Sequence, residues 1–180
     1  EQKRQATDYL MRVGADIRDI NCVRRHLSAL KGGRLAKAAH PAPVVTLAIS
    51  DIPGDAIGDI ASGPTIPSPT TPEQALEILE RYDYPGRDEL SAVLTNPQYV
   101  SPRPGDPAYA SDVTRIIASA KTALDAAQER LEAGGITVRR LGDHLSSNAH
   151  ELGRAHGRLA TEAAASSAPG ALLSGGETRV

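Results

Sequence analysis

Apolar positions recur at helical spacing near the start of this chain, alternate as in strands near its end, and break up between. Ala6, Tyr9, Leu10 and Val13 follow an i, i+3, i+4, i+7 spacing, which predicts a helix that Gly14 stops. Ile20, Val23, Leu27 and Leu30 form a second stripe, with Asp19 or Asn21 as its N-cap. Gly32-Gly33 interrupt or end that helix, and Leu35–Ala39 resume helix before Pro41. Val44–Ile49 is an apolar run of the length of a buried strand. Thr71 followed by Pro72 predicts a capped helix over 72–82, with Ala75, Leu76 and Leu79 facing inward. A short helix at 87–94 follows, and Asn96–Pro107 reads as an extended surface loop.

From Asp112 the pattern becomes regular. Ile116–Ala118 reads as a strand, Ser119 caps a helix over 120–133, and Gly134-Gly135 end it. Ile136, Val138 and Leu141 alternate as a strand, Asn148 caps a helix to about Ala165, and Ala171–Leu173 is the next strand. This order is βαβαβ, which predicts an α/β fold with a parallel sheet and right-handed crossovers.

Composition narrows the function classes. The net charge of −2 argues against a nucleic-acid footprint, which would need a basic stripe. No apolar stretch reaches the ~18 residues of a membrane span. The single Cys22 excludes an internal disulfide and suits a reducing, cytoplasmic compartment. With five Tyr and neither Phe nor Trp, the core has to be built from Ala, Leu, Ile and Val.

Candidate chemistry gathers after the first strand, in SDIPGDAIGDIASGPTIPSPTT over 50–71. In open α/β sheets ligands bind beyond the carboxyl ends of strands. Asp51 and Asp55, at i and i+4 around Pro53-Gly54, could converge on one Mg²⁺; alternatively Asp55 only caps a helical turn at 56–61. Ser62, Gly63 and Thr65 could present hydroxyl and backbone donors to an anion, or form a proline-stabilised turn. Arg24, Arg25, His26, Lys31 and Arg34 form a basic cluster. Arg24, Lys31 and, less closely, Arg34 lie toward one side of a helix, as an anion site or as a solvated face. Lys31 before Gly32-Gly33 is the strongest of these, since glycines let a ligand approach the backbone. His26 lies near the apolar stripe and reads as a hydrogen-bonded, partly buried histidine. Ser174, Gly175, Gly176 and Glu177 follow a strand and could cradle a phosphate or offer Glu177 to a metal, or could simply turn the chain. Asp143-His144 at a strand end reads as surface loop or cleft edge. The other histidines show no zinc-ligand spacing.

NCVRRHLSALKGGRLA over 21–36, SDIPGD at 50, IASGPT at 60 and SGGET at 174 occur in the order in which the type 2 glycerate kinase family carries them. The chain resembles that family along nearly its whole length. The resemblance implies a Rossmann-like three-layer α/β/α domain with a mostly parallel sheet, as an incomplete part of a two-domain protein. Residues 1–170 would belong to the N-terminal kinase domain and 171–180 would begin a C-terminal MOFRL domain. The chain opens on Glu1 already in a helical pattern, so it reads as a middle section, inactive by itself. The activity implied is ATP- and Mg²⁺-dependent phosphorylation of D-glycerate, at the 2-hydroxyl. Lys31 and Asp51 would be catalytic. Arg24, Arg34, Ser62, Gly63, Thr65, Ser174, Gly175, Gly176 and Glu177 would bind substrate or phosphate, and Asp51 and Asp55 the metal. Expected partners are the small-molecule substrate, a nucleotide and a second copy in a homodimer, without nucleic acid or membrane.

Some members of that family carry the label hydroxypyruvate reductase, which supplies a second reading. The sequence has no G-x-G-x-x-G dinucleotide fingerprint to support it. A non-catalytic phosphoacid-binding module is the third, and metal-dependent turnover separates it from a kinase.

Overall fold

The computed structural model describes residues 1–97, 101–165 and 170–178; positions 98–100 of the predicted Asn96–Pro107 loop lie outside the described residues. The chain forms two compact units, residues 1–48 with 56–115, and residues 49–55 with 116–180. The class is α/β, as the periodicity predicts. Among the described residues the strands form two two-stranded sheets.

The first unit is built on helices. α1 (Gln2–Arg12) stops at Val13, before Gly14 at φ 74°. α2 (Ile17–His26) begins earlier than the apolar stripe predicts. Its N-cap is Asp16, whose carboxylate accepts from the Arg18 amide at 2.8 Å, rather than Asp19 or Asn21. Asp19 instead accepts from the Tyr82 hydroxyl and pairs with Arg81. Leu30, placed on the buried stripe by spacing, lies beyond the end of α2 and is 59% exposed. α3 (Arg34–Ala39) follows the Gly32-Gly33 turn. In α4 (Pro72–Arg81) the Thr71 cap forms a full capping box with Gln74. α5 (Arg87–Leu94) matches its predicted span.

Ala6, Leu10, Ile20, Val23, Ala75, Ile78, Leu79, Leu90 and Leu94, with Cys22, form one cluster among α1, α2, α4 and α5. Each fully buried leucine there contributes about 1.5–3 kcal/mol. Tyr9 and Tyr84 pack edge to face at 5.3 Å on its margin, so the aliphatic core expected from composition is what forms.

β1 (Val45–Ser50) pairs with β2 (Val113–Ser119). The run that reads as a strand buried on both faces is in fact open along one of them. Val45, Leu47 and Ile49 are 60–67% exposed, while Thr46 and Ala48 are half-buried. Alternation is a property of pleated backbone, and hydropathy alone does not report which face is covered.

In the second unit, α6 (Ala120–Glu132) starts from a capping box between Ser119 and Thr122. β3 (Thr137–Leu145) follows it. α7 (Ala149–Ala164) is capped by Asn148, which accepts from the amides of His150 and Glu151. β4 (Gly170–Gly176) pairs with β3 in parallel, from Thr137 opposite Gly170 to Leu145 opposite Gly176. The β3–α7–β4 step is thus the parallel crossover that the sequence predicts. Register shifts at Gly142 and Leu145 break the ladder near its end. Among the described residues no helix is long and apolar enough to cross a membrane.

Candidate functional site

Ser50, Ser119, Leu145 and Gly176, the final residues of the four strands among the described residues, line one cavity of about 510 Å³ in the second unit. Asp51, Asp143 and Glu177 bring carboxylates to its wall, and His144 and Ser146 lie on the same rim. Asp51 and Glu177, two of the residues that the motifs single out, stand on this cavity. Asp143 and His144, read from sequence as surface loop or cleft edge, stand on the cavity. Ser119, read from the sequence only as a helix cap at a strand end, and Ser146, not singled out at all, also line the cavity.

At the end of β1 and in the loop after it, two buried polar atoms have no hydrogen-bond partner. The Ser50 hydroxyl is buried without a hydrogen-bond partner, on a residue 3% exposed. One carboxylate oxygen of Asp55 is likewise buried and unpaired, on a backbone at φ 51°. Such a φ costs an ordinary residue about 1–2 kcal/mol, and Asp tolerates it better than most. Buried oxygens without partners are the exception in folded proteins.

The glycines of Ser174-Gly175-Gly176 do structural duty. A Cβ on Gly175 would meet the Asp143 carbonyl at 3.1 Å and Leu124 at 3.2 Å. Gly176 sits against Leu145, and the Glu177 amide donates to the Leu145 carbonyl at 3.0 Å. Ser174 itself is exposed.

The remaining predicted residues belong to the first unit, where two loops are laced together. The amides of Gly32, Gly33 and Leu35 donate to the carbonyls of Ser62, Gly63 and Pro64 at 3.3, 2.9 and 3.1 Å. Lys31 Nζ donates to the Ala61 carbonyl. Ala61, Ser62 and Gly63 all have φ between 51° and 59°, a left-handed run that two non-glycine residues must share. The buried Ser62 hydroxyl holds it by donating to Asn21 Oδ1 at 2.9 Å. Thr65 Oγ1 accepts from Thr46 at 2.7 Å.

Most of the basic cluster is engaged in this scaffold. Arg25 is buried, pairs with Asp59 and donates to the Gly58 carbonyl at 2.9 Å. Arg34 donates to the carbonyls of Arg25 and Ser28 at 2.7 and 2.8 Å, closing the C-terminal end of α2. Arg24 is half-exposed and makes no ion pair among the described residues. Burial, then the nearby charges of Arg24 and Lys3, lower the Lys31 ammonium below its ordinary pKa.

His26 is 3% exposed, with Ser101 Oγ at 3.1 Å from Nδ1 and Thr70 Oγ1 at 3.1 Å from Nε2. It is the hydrogen-bonded histidine that its position by the stripe predicts. Burial first, then the Arg34 charge, push its pKa from 6.5 down to about 4. The unfolded chain therefore binds the proton more readily than the folded one, and stability falls as pH drops from 6.5 towards 4. The loss should approach about 3 kcal/mol. Urea unfolding at pH 7, 5.5 and 4.5 checks this: the wild type should lose stability more steeply than His26→Gln, and parallel profiles would remove His26 as the cause.

The family model described as "Domain of unknown function (DUF4147)" matches residues 1–95, more than half of the chain. The chain belongs to the DUF4147 family. A protein of Agrobacterium vitis named "Putative hydroxypyruvate reductase" is 43% identical over 182 residues, covering 99% of this chain and 46% of that protein. The D-glycerate 2-kinase of Thermotoga maritima is 33% identical over 185 residues, covering 100% of this chain and 42% of the relative. The crystal structure of a glycerate kinase from Thermotoga maritima superposes with a TM-score of 0.84 at 31% identity, covering 99% of this chain and 42% of that one. This DUF4147 chain thus spans less than half the length of those relatives. The glycerate kinase resemblance read from its motifs stands at the level of family and fold.

Proposed function

We propose that the protein carrying this chain phosphorylates D-glycerate from ATP with Mg²⁺, giving 2-phosphoglycerate. The observation that supports it most is likeness over the whole chain, in sequence and in fold, to the Thermotoga glycerate kinase proteins. Each unit by itself carries groups that suit that chemistry. Phosphoryl transfer needs positioning and charge neutralisation more than covalent help. The Arg24–Lys31 region supplies cations, and the strand-end cavity supplies carboxylates and hydroxyls.

Among the described residues no three His, Cys, Asp or Glu side chains are grouped to hold a metal ion. Mg²⁺ does not require such a group, because one or two carboxylates plus substrate phosphates are its usual protein-side ligands. Asp51, with the unpaired oxygen of Asp55, provides donors of the right hardness. When bound, Mg²⁺ would neutralise phosphate charge. In this reading Asp51 and Asp55 hold it, Lys31 and Arg24 receive anionic oxygens, and Arg34, Ser62, Gly63 and Thr65 keep the loops in place. Ser174, Gly175 and Gly176 set the edge from which Glu177 reaches the cavity. Residues 171–180 would lead into a second domain, the setting would be cytoplasmic, and a homodimer is the expected assembly.

The test uses the intact protein with D-glycerate, ATP and Mg²⁺, followed by ³¹P NMR. A new phosphomonoester resonance is expected, with proton coupling that places it on carbon 2. Absence of product, with NADH or NADPH consumed on hydroxypyruvate, would overturn the kinase in favour of the reductase name carried by the Agrobacterium relatives. Silence in both assays would leave a binding module.

A further inference from the structure

Resting on the kinase reading, we propose that Asn21 is a positioning residue for that reaction: with Arg25 it clamps the turn over 59–62 to α2, and the Ala61 carbonyl of that turn sets where the Lys31 ammonium stands. All of these residues belong to the first unit. Residues four apart share a helix face, so Asn21 and Arg25 leave α2 on the same side. Arg25 takes the front of the turn, pairing with Asp59 and donating to the Gly58 carbonyl at 2.9 Å. Asn21 takes its end, where Oδ1 accepts from the Ser62 hydroxyl at 2.9 Å. Asn21, Arg25 and Ser62 are all buried, so water does not compete for these bonds.

Between the two grips stands Ala61, whose carbonyl accepts from Lys31 Nζ. The backbone there does not hold itself. Ala61 and Ser62 have φ of 51° and 59°, a left-handed conformation that side chains disfavour. Residues keep such a conformation only where their surroundings over-determine it. The Ser62 amide closes the turn on the Asp59 carbonyl at 2.9 Å, but that bond is internal and does not fix the turn against α2. The side chains of Asn21 and Arg25 do. A lysine is a compact charge on a flexible stem, so its place depends on the acceptor that it meets. An acceptor tied to a helix preorganises it. The amides of Gly32 and Gly33, which follow Lys31, donate to the Ser62 and Gly63 carbonyls, so the same loop fixes the backbone beside the lysine.

The test compares the intact wild-type protein with Ser62→Gly and Asn21→Leu. Ser62→Gly removes the hydroxyl and relieves the left-handed backbone, so its melting temperature should stay near that of the wild type. It serves if Asn21→Leu, which leaves the Ser62 hydroxyl unpaired, fails to fold. In ¹³C NMR of lysine-labelled protein, the Lys31 ε-carbon should shift in both variants. Its titration midpoint should rise toward the ordinary lysine value, because release of the ammonium lessens the burial that lowers it. The Lys37 resonance, from α3 and outside the clamp, should not move. In turnover, kcat should fall at least about tenfold, with KM for D-glycerate and for ATP within about twofold of wild type. An unmoved Lys31 resonance would overturn the proposal, as would wild-type kcat in a variant whose Lys31 has moved. A raised KM at unchanged kcat would overturn it too, making the turn a binding element. A wild-type protein without glycerate turnover, in which Lys31 still follows Ser62 and Asn21, would remove the kinase and sustain the clamp on Lys31.

Discussion

Gly176→Ala is expected to destabilise the second unit by about 3 kcal/mol or more. A Cβ at this position would collide with the main chain of Leu145, at its carbonyl oxygen and its nitrogen. Both obstacles are main chain, so no rotamer change relieves them; the ends of β3 and β4 must part. The backbone is also at φ 125°, where a side chain is strained whatever the space. Gly14→Ala is the control, since Gly14 has φ 74° and nothing within 4 Å of its would-be Cβ. It should cost about 1–2 kcal/mol. Hydrogen exchange then locates the damage. Amides of β3 and β4 should lose protection in Gly176→Ala, and α2 and α4 should keep theirs. If the two variants behave alike, the tight approach of β4 to β3 is not what requires glycine.

Asp51→Ala is expected to lower the rate of glycerate phosphorylation at least about 100-fold, in the range lost when one electrostatic contact to a transition state is removed. Its melting temperature should stay that of the wild type. Asp51 is exposed, forms no ion pair among the described residues and stands at the end of β1 on the cavity, so its carboxylate contributes little to folding. Rate measurement on the intact protein, paired with thermal melts, separates the outcomes. Retained turnover would remove Asp51 from the chemistry. A matching fall in melting temperature would make the effect structural. In a binding module the same substitution would leave ligand affinity nearly unchanged.

Local order was legible in the sequence because its causes are local. Thr71, Ser119 and Asn148 each announce a helix through a hydrogen bond reaching two or three residues ahead, and all three do so in the structure. Helices 87–94 and 34–39 and the β3–α7–β4 crossover follow from periodicity and glycine stops. The start of α2 did not, because Asp16, Asp19 and Asn21 are chemically eligible caps alike. Contacts far along the chain assign the last two elsewhere, Asp19 to Tyr82 and Asn21 to Ser62.

What the chain alone determined was therefore its element order, its α/β class, its aliphatic core and the motifs that carry the family. The tertiary structure decided how those motifs are used. It laced Lys31–Leu35 against Ala61–Pro64, turned Arg25 and Arg34 onto carbonyls, and spent Gly175 and Gly176 on the approach of β4 to β3. It also brought Asp143 and Ser119 onto the same cavity as Asp51 and Glu177. Each of these depends on pairing residues tens of positions apart. Spacing along a chain fixes which face of an element a side chain occupies, but not which other element meets that face.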